Sequence, residues 1–195
     1  MTSQSHWESV HSGKLTDEVS WWQEPGELWT DLIDDLDLPA DAPVIDVGAG
    51  SSMLVDSLVA AGHTDVTALD ISSAALERTR ARIGDQAHYL VADILDVDLP
   101  REYALWHDRA VFHFLTGTHD QQRYADVLHT ACSGVAIVAT FAPDGPDSCS
   151  GLPVARYTAE QIAGTLGMDL LRSDRRVHIT PWGTEQPFTI AVMSQ

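Results

Sequence analysis

Basic residues are scarce in this chain: 11 Lys and Arg stand against 29 Asp and Glu, a formal net charge of −18 with no basic run. Binding to a phosphate backbone draws its affinity from clustered Lys and Arg. Nucleic acid and anionic membrane are therefore set aside as partners, and the acidity reads as a well-solvated surface. Cysteine is scarcer still. Cys132 and Cys149 are the only two, too few for a disulfide framework and wrongly spaced for zinc. Two free thiols in a reducing compartment are expected, and no metal site. No apolar run approaches bilayer length. The first fourteen residues, MTSQSHWESVHSGK, lack the apolar core of a secretory signal, so the expected location is the cytoplasm. Internal repeats and low-complexity tracts are missing too.

What is present is an alternation of two hydrophobic periods over 195 residues, a length that suits one domain with a sizeable core. Residues 1–41 are rich in Trp and acid and read as an N-terminal helical cap, with a helix expected from Glu27 to Leu36. Over 42–195 short apolar runs at 43–47, 66–69, 88–91, 103–111 and 135–141 alternate with helical patterns at 53–61, 72–84, 120–131 and 158–166. Strands alternating with helices predict βαβ units and a mainly parallel sheet. The last two strands, near 170–179 and 188–193, are joined by a loop too short for a helical crossover and should pair antiparallel. The expected architecture is α/β: a doubly wound, seven-stranded, mostly parallel sheet with a C-terminal antiparallel hairpin.

The first strand runs into Asp46-Val-Gly-Ala-Gly50. Gly48 and Gly50 allow close ligand approach where a strand turns into a helix, at the carboxyl edge where open α/β sheets bind. The second strand ends at Asp70, twenty residues past Gly50, where a carboxylate can accept from ribose hydroxyls. The third runs into Asp93. Three acids thus end three successive strands. A dinucleotide fits poorly, because Met53 replaces the third small residue and Asp46 would face a pyrophosphate.

These motifs resemble the cofactor motifs of class I S-adenosylmethionine-dependent methyltransferases, over about residues 42–195. The resemblance implies S-adenosyl-L-methionine as cofactor, backbone contacts at Gly48 and Gly50, ribose binding by Asp70 and an adenine contact from Asp93. Asp46 would hold the methionine amine through water, and Ile71, Ile94 and Arg109 would complete the cofactor contacts. A Rossmann-like methyltransferase fold follows. The competing reading of each acid is a plain strand-end cap.

Two segments should overhang the strand ends. Leu105-Trp-His-Asp-Arg-Ala-Val-Phe-His-Phe114 is unusually polar for a strand end and offers Asp108 and His113 as catalytic groups. The bland alternatives are a rim ion pair between Asp108 and Arg109 and a core histidine bonded to backbone. The long loop 141–157 reads as a substrate-side lid, with Cys149 and Arg156 toward the acceptor. The final turn offers His178 as a third catalytic candidate and Trp182 as a contact, or is simply a hairpin with an aromatic plug. Trp21 and Trp22 are expected to line the pocket, since aromatics at such density are buried against something; packing on the sheet edge is the alternative.

The pattern of these segments is similar to a small bacterial subgroup near the thiopurine and tellurite methyltransferases. The expectation is methyl transfer to a small-molecule acceptor, a thiol or other soft nucleophile, by a monomer or weak homodimer. A protein lysine methyltransferase and a non-catalytic S-adenosylmethionine-binding module are the alternatives.

Overall fold

The structure is a computed structural model that describes residues 4–13, 18–23 and 29–195. Its helices are α1 (Gln4–Gly13), α2 (Asp31–Asp34), α3 (Leu54–Ala60), α4 (Ser73–Ile83), α5 (Thr118–Ala131) and α6 (Ala159–Leu166). The strands are β1 (Val44–Val47), β2 (Val66–Asp70), β3 (His88–Val91), β4 (Tyr103–Arg109) and β5 (Cys132–Phe141). They are followed by β6 (Ser148–Cys149), β7 (Leu152–Pro153), β8 (Asp169–Ile179) and β9 (Glu185–Ser194).

Seven strands form one sheet in the order β3-β2-β1-β4-β5-β9-β8. The first five are parallel, and β9 inserts antiparallel between β5 and β8. This is the doubly wound sheet and terminal hairpin read from the sequence. Strand order reverses between β1 and β4, which opens a crevice at their carboxyl ends.

Burial on both faces explains the unbroken apolar runs. Val44, Ile45 and Val47 are wholly buried, each worth about 1.5–3 kcal/mol of transfer free energy. One face packs on α5 and α6 through Tyr124, Leu128, Ile162 and Leu166. The other packs on α2, α3 and α4 through Ile33, Leu54, Leu58 and Leu76. Local chemistry agrees with the elements. Ser72 caps α4 by accepting from the Ala75 amide, and Thr158 with Gln161 forms a capping box on α6.

Two elements differ from expectation. The helix expected from Glu27 to Leu36 reduces, among the described residues, to Asp31–Asp34; residues 27 and 28 lie outside the described part. Its end is set by Asp37, whose φ of +48° no helix continues through. The loop after β5 contains a miniature hairpin, β6 with β7, turning through Ser150 and Gly151 at φ +53° and +77°. Successive positive φ values suit a two-residue hairpin turn.

Candidate active site

The crevice at the carboxyl edge is a cavity whose floor is the β1–α3 turn and the ends of β2 and β4. Gly48 and Gly50 sit at φ +68° and +56°, where a side chain is strained. At Gly48 space forbids one as well: a Cβ would lie 2.0 Å from Val111 Cγ2.

Asp70 anchors this turn. Its Oδ2 accepts from the Gly50 amide at 2.8 Å, and its Oδ1 from the Ser72 amide at 2.8 Å. Burial outweighs these bonds and pushes its carboxyl up to about 6. Each oxygen keeps a further lone pair for a hydroxyl. Asp93 Oδ1 accepts from the Leu95 amide at 2.9 Å, and Ile71, Asp93 and Ile94 line the same wall. Asp46 lies below the glycine turn with Oδ1 2.7 Å from His107 Nδ1. A wall of acids beside a glycine turn fits a ligand with a ribose, an amine and no phosphate; S-adenosylmethionine is such a ligand.

The roof comes from the N-terminus. Trp7 and His11 of α1, then Trp21 and Gln23, face the cavity. Trp7 contacts Trp21 and Phe114 edge-on at 5.9 and 5.0 Å. The helix is pinned by Glu8, which accepts from Ser72 Oγ at 2.7 Å, Ser73 Oγ at 3.2 Å and the Ala74 amide at 3.3 Å. These bonds, Ser72 foremost, hold the Glu8 carboxyl below its usual range. Arg78 Nη2 donates to the His11 carbonyl. Burial and then Arg78 lower His11 to about 4, so a neutral imidazole lies over Gly50.

The other end of the cavity is lined by Trp21, Trp29, Ala110, Phe114, Cys149 and Arg109, the last expected among the cofactor contacts. Burial raises the Cys149 thiol, whose Sγ lies 3.9 Å from Ser150 Oγ and 4.0 Å from Ser20 Oγ. Ala110 has φ +71°, a strained value for a residue with a Cβ, and it turns the chain away from the strand axis directly after Arg109.

Several expected site residues stand elsewhere, and these are corrections. Asp108 is fully buried and is not part of the cavity wall. Its oxygens accept from the Val111 amide at 2.9 Å, the Phe112 amide at 3.1 Å and Tyr124 Oη at 2.5 Å. It caps the turn at 112–114, and no ion pair joins it to Arg109. His113 is likewise outside the cavity wall, packed against Phe114 and Phe141 at 4.5 and 4.8 Å between centroids. Neither of its ring nitrogens has a partner among the described residues, so the expected backbone bond is missing too. Burial lowers it to about 3. His178 binds the Ser20 carbonyl through Nε2 at 2.6 Å and holds the N-terminal segment to β8.

Trp22 does not reach the cavity, Arg156 donates outside it to the Gly145 carbonyl, and Trp182 is 61% exposed at the hairpin tip. Conversely, Trp7, His11, Gln23, Trp29 and His107 line the cavity without having been singled out for it. The only signal was aromatic density for the tryptophans and strand alternation for His107, which shares a face with Arg109.

Residues 44–133 match the family model of a methyltransferase domain. A search of curated proteins found no match to the chain. Among solved structures, an S-adenosylmethionine-dependent methyltransferase from Anabaena variabilis superposes with a TM-score of 0.78 at 17% identity, covering 100% of this chain and 96% of that one. A protein from a study of the conversion of a disulfide bond into a thioacetal group during echinomycin biosynthesis gives 0.76 at 19%, covering 97% and 91%. The 1,6-didemethyltoxoflavin-N1-methyltransferase of Burkholderia thailandensis, with bound S-adenosylhomocysteine, gives 0.67 at 19%, covering 98% and 87%. The sheet has the Rossmann-like fold of class I methyltransferases.

Proposed function

We propose that this chain is an S-adenosylmethionine-dependent methyltransferase, a reading supported by its fold and by the domain match of residues 44–133, and that it methylates a small-molecule acceptor carrying a thiol or other soft nucleophile. The observation that carries the reading is the roof: Trp7 and Trp21, with His11 over Gly50, cover the cavity at the strand edge, which suits a small molecule better than a protein groove. Among the described residues, Trp7, His11, Trp21 and Gln23 supply the cap expected of the N-terminal stretch, and the β6–β7 hairpin brings Cys149 to the cavity from the other side.

When bound, S-adenosylmethionine supplies a sulfonium-activated methyl group. Asp70 and Asp93 then hold its nucleoside, and Gly48 and Gly50 give its chain a close backbone approach. Asp46, oriented by His107, faces its amine. Positioning is the main service the protein offers such a transfer.

A soft nucleophile is supported by where the bases stand. His113, Asp108 and His178 are outside the cavity wall, burial makes His11 a weak base at about 4, and His107 is engaged by Asp46. A thiol that ionises near neutral pH needs no general base. The thioacetal chemistry in the study of one structural neighbour adds to this reading, whereas the other is named for methylation at nitrogen. Among the described residues no helix is long and apolar enough to cross a membrane, in keeping with a cytoplasmic site of action.

The test is release of S-adenosylhomocysteine from S-adenosylmethionine across thiols, selenide, phenols, carboxylates and a basic protein. Turnover confined to thiols or selenide is expected. Turnover only with the basic protein would replace this reading with lysine methylation. Silence throughout, with cofactor binding intact, would replace it with a binding module.

A further inference from the structure

One charged group in the cavity has no ion-pair partner among the described residues. Arg109, the last residue of β4, presents its guanidinium among rings, with Cζ 5.2 Å from the Trp29 centroid and 5.5 Å from that of Phe188. Nη1 donates to the Trp21 carbonyl at 3.0 Å. Nε and Nη2 are shut off from solvent and have no hydrogen-bond partner among the described residues. The ion pairs among those residues all involve other side chains.

Asp46 and Cys149 favour the cation from a distance without bonding to it. Asp46 is engaged by His107, and burial keeps the Cys149 thiol protonated. His113, on the far side, is held neutral by burial and by Arg109 itself. Burial lowers Arg109 only to about 10, so the group remains cationic at neutral pH. A desolvated, forked donor with two free N–H directions is a receptor for a planar anion. In a chain of net charge −18 such a cation also discriminates: the acidic surface disfavours anions everywhere else.

We propose that Arg109 is the counter-ion for an anionic group of the acceptor, so that the substrate class is a small, flat acid lying against Trp21 and Trp29. The anion is a carboxylate beside the nucleophile or the ionised nucleophile itself. This rests on the methyl-transfer reading for the name of the ligand, not for the existence of the site. A second source of the same chemistry is the carboxylate of the cofactor. Position favours the acceptor. The acids assigned to the cofactor run from β1 outward to β3, whereas the neighbours of Arg109, Trp29 and Phe188, lie toward β9, the opposite way along the sheet.

The experiment titrates benzoate, benzamide, thiophenol and 2-mercaptobenzoate into the protein saturated with S-adenosylhomocysteine, read by tryptophan fluorescence and calorimetry. The wild type is expected to bind benzoate at least tenfold more tightly than benzamide. Arg109→Met should erase that preference and Arg109→Lys should keep part of it, with S-adenosylhomocysteine affinity within twofold of wild type in both. Preferential loss of thiophenol methylation in Arg109→Met would identify the anion as the nucleophile. Preferential loss with 2-mercaptobenzoate would identify it as a neighbouring carboxylate.

Equal affinity for benzoate and benzamide in the wild type overturns the proposal, and that comparison needs no variant to fold. A tenfold loss of S-adenosylhomocysteine affinity in Arg109→Met, with the benzoate preference intact, also overturns it and gives Arg109 to the cofactor. Tight 2-mercaptobenzoate binding without methyl transfer would leave the anion site standing and defeat the thiol reading instead.

Discussion

His107 and Asp46 face each other across the β1–β4 pair, with Nδ1 2.7 Å from Oδ1. Both side chains are largely buried beneath the glycine turn. Removing one partner of a buried, charge-assisted bond leaves the other uncompensated, at a cost of about 1–3 kcal/mol. His107→Leu should therefore lower denaturation stability by that amount and weaken S-adenosylhomocysteine binding several-fold, while His107→Gln recovers part of both. Wild-type stability and affinity in His107→Leu would show that the contact organises nothing.

Asp70 makes a pH-dependent prediction. Its carboxyl is raised to about 6 by burial, and only the ionised form accepts freely from both ribose hydroxyls. Affinity for S-adenosylhomocysteine should accordingly fall by about tenfold between pH 7 and pH 5, and Asp70→Asn should abolish that dependence at a uniformly weaker affinity. Because Asp70 also satisfies the Gly50 and Ser72 amides, Asp70→Ala is expected to cost stability as well as binding. Calorimetry across pH, paired with thermal melts, separates the two effects.

His113 should make the protein sensitive to acid. Its folded value, lowered to about 3 by burial, lies below the ordinary 6.5. Its contribution is thus fully present above pH 6.5 and is lost as pH falls toward 3. Between pH 6.5 and 5 that loss is about 2 kcal/mol. Asp70 and Asp108, both raised to about 6, run the opposite way and gain stability as pH falls from 6 toward 3.8. Relative to wild type, His113→Leu should then gain about 2 kcal/mol on acidification from pH 6.5 to 5, and turnover should persist. Parallel urea-denaturation curves for the two proteins at both pH values would contradict this, and loss of turnover would return His113 to the chemistry.

Much of the end of the cavity that holds the glycine turn and its acids was legible in the sequence, for a reason rooted in topology. Consecutive parallel strands deliver their carboxyl ends to one edge, so acids closing β1, β2 and the β3 loop, namely Asp46, Asp70 and Asp93, had to assemble there. The other end of the cavity was not legible to the same degree. Leu105–Phe114 shows its polar residues plainly, but period-two alternation leaves open which set faces the ligand. Packing of Asp108 against Tyr124 on the α5 side settled the phase, sending His107 and Arg109 to the cavity. The positive φ of Ala110 then broke the alternation, so that His113 follows neither set.

The sequence by itself determined the strand and helix order, the antiparallel end and the glycine turn with its three acids, because these depend on local periodicity, short connections and residues whose backbone freedom or charge acts wherever they stand. Only the tertiary structure decided that α1 is pinned to the start of α4 by Glu8, that His178 bonds the N-terminal segment, and that Arg109 packs between Trp29 and Phe188 with no ion pair among the described residues. Each of these joins residues far apart in the chain, and a contact of that kind is set by how the layers pack, which no local pattern encodes.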